Sequence, residues 1–106
     1  MKITFYQTPS GRTPVLDFLK KLQTPERARI LAILADMEQY GLESGRVSFR
    51  QIEGKLWEIK ISANQIFYVL AQRAEMVLLH AYKKQGQKLP LREKNVAIKR
   101  MKEILL

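Results

Sequence analysis

The hydrophobic period of the chain changes near residue 47, and this change limits the possible folds more than any other feature. Between residues 15 and 22 the apolar side chains recur every three or four positions, which is the spacing of one helix face. Later in the chain, alternate positions such as Trp57, Ile59 and Ile61 are apolar, which is the period of a half-buried strand. The sequence therefore predicts helices in the first half and a sheet in the second.

Helix boundaries are marked by proline and glycine. Thr13-Pro14 and Thr24-Pro25 each offer a capping residue followed by a proline at the first helical position, and Gly41 follows the second periodic segment. These signals predict a helical hairpin. A further amphipathic segment with basic flanks follows Pro90 and predicts a terminal helix.

Turn-prone residues divide the remaining sequence into short strands. One run precedes the helices, and four runs follow them with short connections that favour an antiparallel meander. We predict one α+β domain over residues 1–106, of order β-α-α-β-β-β-β-α. Its curved antiparallel sheet carries helices packed on one face, which leaves the other face free to bind. The predicted strands are residues 3–6, 47–52, 56–61, 65–71 and 76–82.

Length and composition exclude several function classes. A chain of 106 residues has room for one core of ordinary size. It contains no cysteine and a single histidine, so we expect no disulfide, no transition-metal site and no cofactor. Neither a bilayer-spanning apolar run nor a signal peptide is present, which predicts a cytoplasmic protein without membrane contact.

The net charge of +9 favours a polyanionic partner. Residues 83–106 hold 8 basic and 2 acidic side chains, so +6 of the excess lies in the last part of the chain. Nucleic acid is the leading partner class on this evidence. A solvated helix face or an acidic protein partner explains the basic tail equally well.

Cleavage of RNA sets modest chemical requirements, because the 2′-hydroxyl beside each phosphate is a built-in nucleophile. The protein has to align this hydroxyl, transfer protons and stabilise charge on the phosphorane oxygens, which Lys, Arg, His and Tyr side chains can do without a metal. Such side chains occur along the predicted meander and the loop after it. They are Arg50, Lys60, Tyr68, Arg73, His80, Tyr82, Lys83, Lys84 and Lys88.

Lys60 is the most informative of these candidates. It lies in the middle of a strand, on the face opposite to Trp57 and Ile59, where a purely structural residue would more often be apolar or Thr. Two interpretations remain open at this point. Lys60 either faces a ligand or pairs with a carboxylate such as Glu58 or Glu53.

The last predicted strand adds an imidazole and two adjacent amines. Alternation places His80 on one face with Leu78 and Tyr82, where it serves either proton transfer or structure. Lys83 and Lys84 follow at the strand exit, where long side chains reach the rim of a sheet. They predict either a phosphate clamp or a solubilising loop.

Two motifs resemble a known toxin family. Residues 56–61 read Leu-Trp-Glu-Ile-Lys-Ile, and residues 78–90 read Leu-Leu-His-Ala-Tyr-Lys-Lys-Gln-Gly-Gln-Lys-Leu-Pro. Together they resemble the signature of phage-derived HigB-type toxins of the RelE superfamily. That signature has Leu-Trp-Glu-Leu-Arg, a Tyr-Arg-containing strand, Leu-Leu-His-Gly-Phe, two lysines, a Gln-containing loop and Pro before the last helix. The resemblance spans residues 47–102, and the family's element order agrees with the predicted one.

The resemblance implies a ribosome-associated endoribonuclease that cuts translated mRNA. It also implies a cognate antitoxin, of helix-turn-helix type, that silences the enzyme and carries it to operator DNA. Under this hypothesis Lys60, Lys83 and Lys84 bind phosphate and stabilise the transition state, while His80 or Tyr82 transfers protons or positions bases. The RNA-binding residues would be Arg50, Tyr68, Arg73 and Lys88.

Two positions depart from the family pattern. Lys60 stands where the family usually has Arg, so it keeps the charge but loses the planar fork that binds phosphate through two hydrogen bonds. Gln65, or else Ile66, stands at the usual Tyr-Arg pair and loses the charge. We expect reduced activity, a larger contribution from Arg50 or Arg73, or a loss of activity.

Two alternatives to a ribonuclease remain open from the sequence. The chain could be a non-catalytic module, either a degenerate toxin held in an antitoxin complex or a DNA-binding regulator that uses its basic last helix. It could also be a toxin of the same fold that acts on gyrase.

Overall fold

A computed structural model describes residues 1–44, 47–72 and 74–105, and it confirms the α+β class and the predicted element order. A short 3-10 turn, Leu42–Ser44, is added after the second helix. No helix within these ranges is long and apolar enough to span a bilayer. The elements are β1 (Lys2–Phe5), α1 (Pro14–Lys20), α2 (Thr24–Tyr40), β2 (Ser48–Glu53), β3 (Leu56–Ile61), β4 (Asn64–Ala71), β5 (Glu75–Lys83) and α3 (Leu91–Leu105).

The strands form one five-stranded sheet in the order β1-β5-β4-β3-β2. Strands β2 to β5 make the predicted antiparallel meander. Strand β1 instead pairs with β5 in parallel, from Lys2 opposite Glu75 to Phe5 opposite Leu78, so the sheet is mixed and not wholly antiparallel as predicted. The physical reason is that α1 and α2 separate β1 from the meander, and a connection of that length permits a parallel neighbour.

Helices α1 and α2 cover one face of the sheet. Their apolar side chains meet the strand residues that point towards them, and these form a closed core in which most members have no exposed surface. The fully buried contributors are Val15, Leu19, Ile30 and Met37 from the helices, and Ile59, Ile66, Met76 and Leu78 from the strands. We call this the helical-hairpin face.

The alternate side chains of the strands form a second apolar cluster, against which α3 packs through Ala97. Two polar contacts anchor the helix there. Arg100 Nη1 donates to the backbone oxygen of Leu79 at 2.9 Å, and its guanidinium lies 5.2 Å from the centre of the Tyr6 ring. The Tyr6 hydroxyl donates to the carboxylate of Glu103. Helix α3 covers only part of this second face of the sheet. The uncovered part, beyond the cluster, is called the open face.

A β-bulge interrupts the pairing of β4 with β5. Phe67 lies opposite His80, whereas the next residue, Tyr68, lies opposite Leu78, so Leu79 is an extra residue in β5. Leu78 therefore belongs to the core under the helical hairpin, while His80 stacks on Phe67 of the second cluster. The prediction that His80 shares a face with Leu78 is wrong, because simple alternation does not continue through a bulge.

Candidate functional site

A shallow cavity of about 140 Å³ lies on the open face. It combines three cations with one carboxylate and two neutral polar groups. Most of these side chains come from β2, β3 and β4, and one follows the end of β5. The lining residues are Ser48, Arg50, Glu58, Lys60, Gln65 and Lys84.

Strand register brings these residues together from distant parts of the sequence. Arg50 lies opposite Glu58 in the β2–β3 pair, and Gln65 lies opposite both Lys60 on β3 and Tyr82 on β5. Directly paired residues of an antiparallel ladder point to the same face, so all five side chains share one side of the sheet. The pairing of the strands thus places these side chains around one cavity and fixes their relative positions.

Glu58 is the centre of a hydrogen-bond network at the base of the cavity. Its side chain is only 2% exposed. One carboxylate oxygen accepts from Arg50 Nη2 at 2.8 Å and from Gln65 Nε2 at 2.9 Å, and the other accepts from the Tyr82 hydroxyl at 2.9 Å. Three donors thus compensate the buried charge and hold Arg50 at the edge of the cavity.

The amines of Lys60 and Lys84 lack an acidic partner in the described part of the chain. The carboxylates that the sequence offered to Lys60 are occupied elsewhere: Glu58 pairs with Arg50, and Glu53 lies 2.9 Å from Lys94. The alternative of a structural ion pair for Lys60 is therefore not realised. Two cations remain available to an anionic ligand.

Similarity to known proteins narrows the class of protein. The family described as phage-derived protein Gp49-like matches residues 17–102, which is most of the chain. The chain belongs to this Gp49-like family. It is a toxin-like family of toxin–antitoxin systems, and it is compatible with a toxin that has an antitoxin partner. No curated protein matches the chain.

The cavity of this Gp49-like protein does not include Lys83. Strand β5 continues to Lys83, so this side chain points opposite to Tyr82, towards the helical hairpin, where its amine lies 3.8 Å from Glu26 on α2. Lys84 comes after the strand, and its backbone N–H still bonds the oxygen of Ala63. The predicted pair of lysines is thus divided between two sides of the sheet.

Tyr82 supports the site without facing solvent. Burial, followed by the hydrogen bond to Glu58, raises the pKa of Tyr82 far above its ordinary value. A phenol in this state does not ionise near neutral pH and is a poor proton acceptor. The structure therefore favours a positioning role for Tyr82, through Glu58, over proton transfer.

His80 lies between the sheet and α3 and does not line the cavity. Its Nε2 lies 2.7 Å from Glu93, and Arg100 Nη1 donates to Nδ1 at 3.2 Å. The pKa of His80 is lowered, first by burial and to a lesser extent by Arg100, although the contact with Glu93 acts in the opposite direction. The ring is therefore a neutral imidazole that donates from Nε2 and accepts at Nδ1, which is a structural role.

This environment predicts a pH-dependent stability. The pKa of His80 in the folded protein is below its ordinary value of 6.5, so below pH 6.5 the unfolded chain takes up a proton that the folded chain does not bind. When the pH is lowered from about 7 to about 5, the free energy of unfolding should fall more steeply in the wild type than in His80→Gln. The difference in slope should be up to about 1.4 kcal/mol per pH unit. Urea titrations at several pH values measure this, and parallel curves would contradict it.

The predicted RNA-binding residues are dispersed. Tyr68 is 2% exposed, lies in the core of the helical-hairpin face and does not line the cavity, and burial raises the pKa of Tyr68 to about 12. Lys88 is exposed in the loop before α3 and does not line the cavity. Arg73 lies outside the described residues. Of these predicted residues within the described ranges, Arg50 is the one that lines the cavity.

Sequence reasoning missed Glu58 and Gln65 as site residues. Glu58 was considered only as a partner for Lys60, and Gln65 only as a departure from a family pattern. Their shared face with Lys60 was available from strand alternation and register.

In the described ranges, no three His, Asp or Glu side chains are grouped closely enough to hold a metal ion.

Proposed function

We propose that the chain is the toxin of a type II toxin–antitoxin pair and a metal-independent endoribonuclease that cuts mRNA on the translating ribosome. One observation carries the proposal. Arg50, Lys60 and Lys84 converge on one cavity of the open face, and two of them have no carboxylate partner among the described residues. The family and the HigB-type motifs support the toxin and ribosome parts.

The cationic groups suit a phosphodiester. In this mechanism the ammonium groups of Lys60 and Lys84 bind the non-bridging oxygens and stabilise the charge that develops on the phosphorane. Arg50 has five N–H donors, and its contact with Glu58 leaves others available to phosphate. Preorganised positive charge, and not a side-chain nucleophile, is thus the main contribution of the protein.

The chemical step is an internal displacement. The 2′-oxygen attacks phosphorus and the bond to the 5′-oxygen breaks, which gives a 2′,3′-cyclic phosphate and a 5′-hydroxyl. The proton of the 2′-hydroxyl passes to water, and the departing 5′-oxygen takes a proton from the Lys60 ammonium, which water then restores. His80 and Tyr82 transfer no proton in this scheme, because His80 lies outside the cavity and the Tyr82 hydroxyl donates to Glu58.

The partners follow from the same proposal. The substrate is mRNA in the ribosome, and the excess of positive charge assists the approach to RNA. A helix-turn-helix antitoxin silences the toxin, and operator DNA is contacted through that complex. In this proposal the protein acts in the cytoplasm.

The neighbouring lysines provide a matched test. We expect Lys84→Ala to lower mRNA cleavage by about tenfold to a hundredfold, because it removes a donor from the phosphate. Lys83→Ala should stay within about twofold of the wild type, because this amine lies on the other side of the sheet. Sequencing of mRNA ends after induction, with wild type and both variants, measures the effect and identifies the terminal groups. Equal losses in both variants, or 5′-phosphate ends, would refute the scheme.

A non-catalytic binding module is the second candidate. Gln65 adds no charge to the cavity, and Glu58 already neutralises Arg50. If purified protein does not cut ribosome-bound mRNA above background but binds operator DNA together with its partner, this alternative is correct. A loss of DNA supercoiling before translation stops would instead indicate a gyrase-directed toxin.

A further inference from the structure

Two buried side-chain oxygens in the described residues have no hydrogen-bond partner, Asn64 Oδ1 and Gln65 Oε1. Asn64 lies at the β3–β4 turn, where its amide nitrogen donates to Glu26 at 2.5 Å. Gln65 lines the cavity of the open face and is 2% exposed. A buried acceptor without a donor is unfavourable and calls for an explanation, and for a residue that lines a candidate site a donor on the ligand is one such explanation.

The orientation of the Gln65 amide follows from its partner. The Glu58 carboxylate can only accept hydrogen bonds, so the amide nitrogen of Gln65 faces it at 2.9 Å. The carbonyl oxygen is consequently turned away from Glu58. Gln65 Oε1 is therefore an unused and covered acceptor on a residue that lines the cavity together with Lys60 and Lys84.

This pairing of cations and an acceptor restricts the ligand chemistry. Phosphate oxygens satisfy the amines, but an ionised phosphodiester carries no donor for Gln65. In a nucleic acid the donor closest to a phosphate is the ribose 2′-hydroxyl, on the carbon next to the one that bears the phosphate, and DNA lacks it. A base amino group is farther from the phosphate.

We propose that Gln65 Oε1 accepts a hydrogen bond from the 2′-hydroxyl adjacent to the bound phosphate, and so selects ribose over deoxyribose. The inference rests on the phosphate site of the proposed function and adds the residue that recognises the sugar. An amide oxygen does not take up a proton near neutral pH, so Gln65 is a positioning residue. Because Oε1 is covered in the free protein, this contact requires side chains at the cavity to shift as the hydroxyl enters.

The test uses probes that contain no cleavable bond. A short DNA oligonucleotide ends in a 3′-phosphate, and its last nucleotide is either ribose or deoxyribose. We expect the full-length wild type to bind the ribose probe about fivefold to tenfold more tightly, measured by fluorescence anisotropy. In Gln65→Met, which keeps side-chain length but removes the acceptor, the ratio should fall to about one.

Controls separate this inference from the proposed function. Lys84→Ala should weaken both probes equally and keep the ribose preference, because it removes a phosphate contact only. If the protein cuts no mRNA but shows a ribose preference that depends on Gln65, this inference is supported and the proposed cleavage is refuted. Equal binding of the two probes by the wild type, no binding of either, or an unchanged preference in Gln65→Met would overturn it.

Discussion

Replacement of Lys60 by alanine is expected to lower the rate of mRNA cleavage by at least about a hundredfold. Its ammonium group is exposed on the open face, has no acidic partner in the ranges described, and lies beside Gln65 in the cavity. Removal of one preorganised donor to a developing oxyanion costs about 3 kcal/mol in comparable sites. Lys60 also supplies the proton for the leaving oxygen in the proposed scheme, so the loss should exceed that of Lys84→Ala.

The conservative variant separates charge from structure. Lys60→Arg keeps the positive charge and provides a fork that binds phosphate bidentately, but a guanidinium does not release a proton, so its cleavage rate should lie between those of the wild type and Lys60→Ala. Single-turnover cleavage of ribosome-bound mRNA gives the rates, and thermal unfolding of each variant checks that the fold is intact. Full activity of a folded Lys60→Ala protein would remove Lys60 from the mechanism.

The largest effect on stability is expected at Glu58. In Glu58→Ala the hydroxyl of Tyr82 and the amide of Gln65 lose their acceptor inside the protein, and each unsatisfied group costs about 1–3 kcal/mol. The Arg50 side chain is 49% exposed and can turn to water, so it adds little. The free energy of unfolding should therefore fall by about 3 kcal/mol, measured by urea titration.

Glu53→Ala is the matched control for this change. Glu53 is also a strand carboxylate in an ion pair, but its side chain is 58% exposed, so its removal should cost about 0–1 kcal/mol. Tyr82→Phe in the Glu58→Ala background tests the cause directly. If it restores no stability, the unsatisfied hydroxyl is not the source of the loss.

Local patterns were sufficient for most of the fold. Pro14 begins α1 as predicted, whereas α2 begins at Thr24 and places Pro25 second, one residue from the predicted start, and a proline in the first turn of a helix loses no hydrogen bond. Alternation in residues 56–61 placed Lys60 and Trp57 on opposite faces, and the structure agrees. These features depend on neighbours in the sequence, which is why they were predictable.

The sequence by itself determined the α+β class, the order of the elements and the facing of Lys60, since backbone period and turn residues act over a few positions. Only the tertiary structure decided the parallel docking of β1, the bulge at Leu79 that turns His80 towards α3, and the continuation of β5 that separates Lys83 from Lys84. It also decided the burial of Glu58 among three donors. Each depends on the register of strands and on packing between distant segments, where small differences in hydrogen bonding and burial select one arrangement from several.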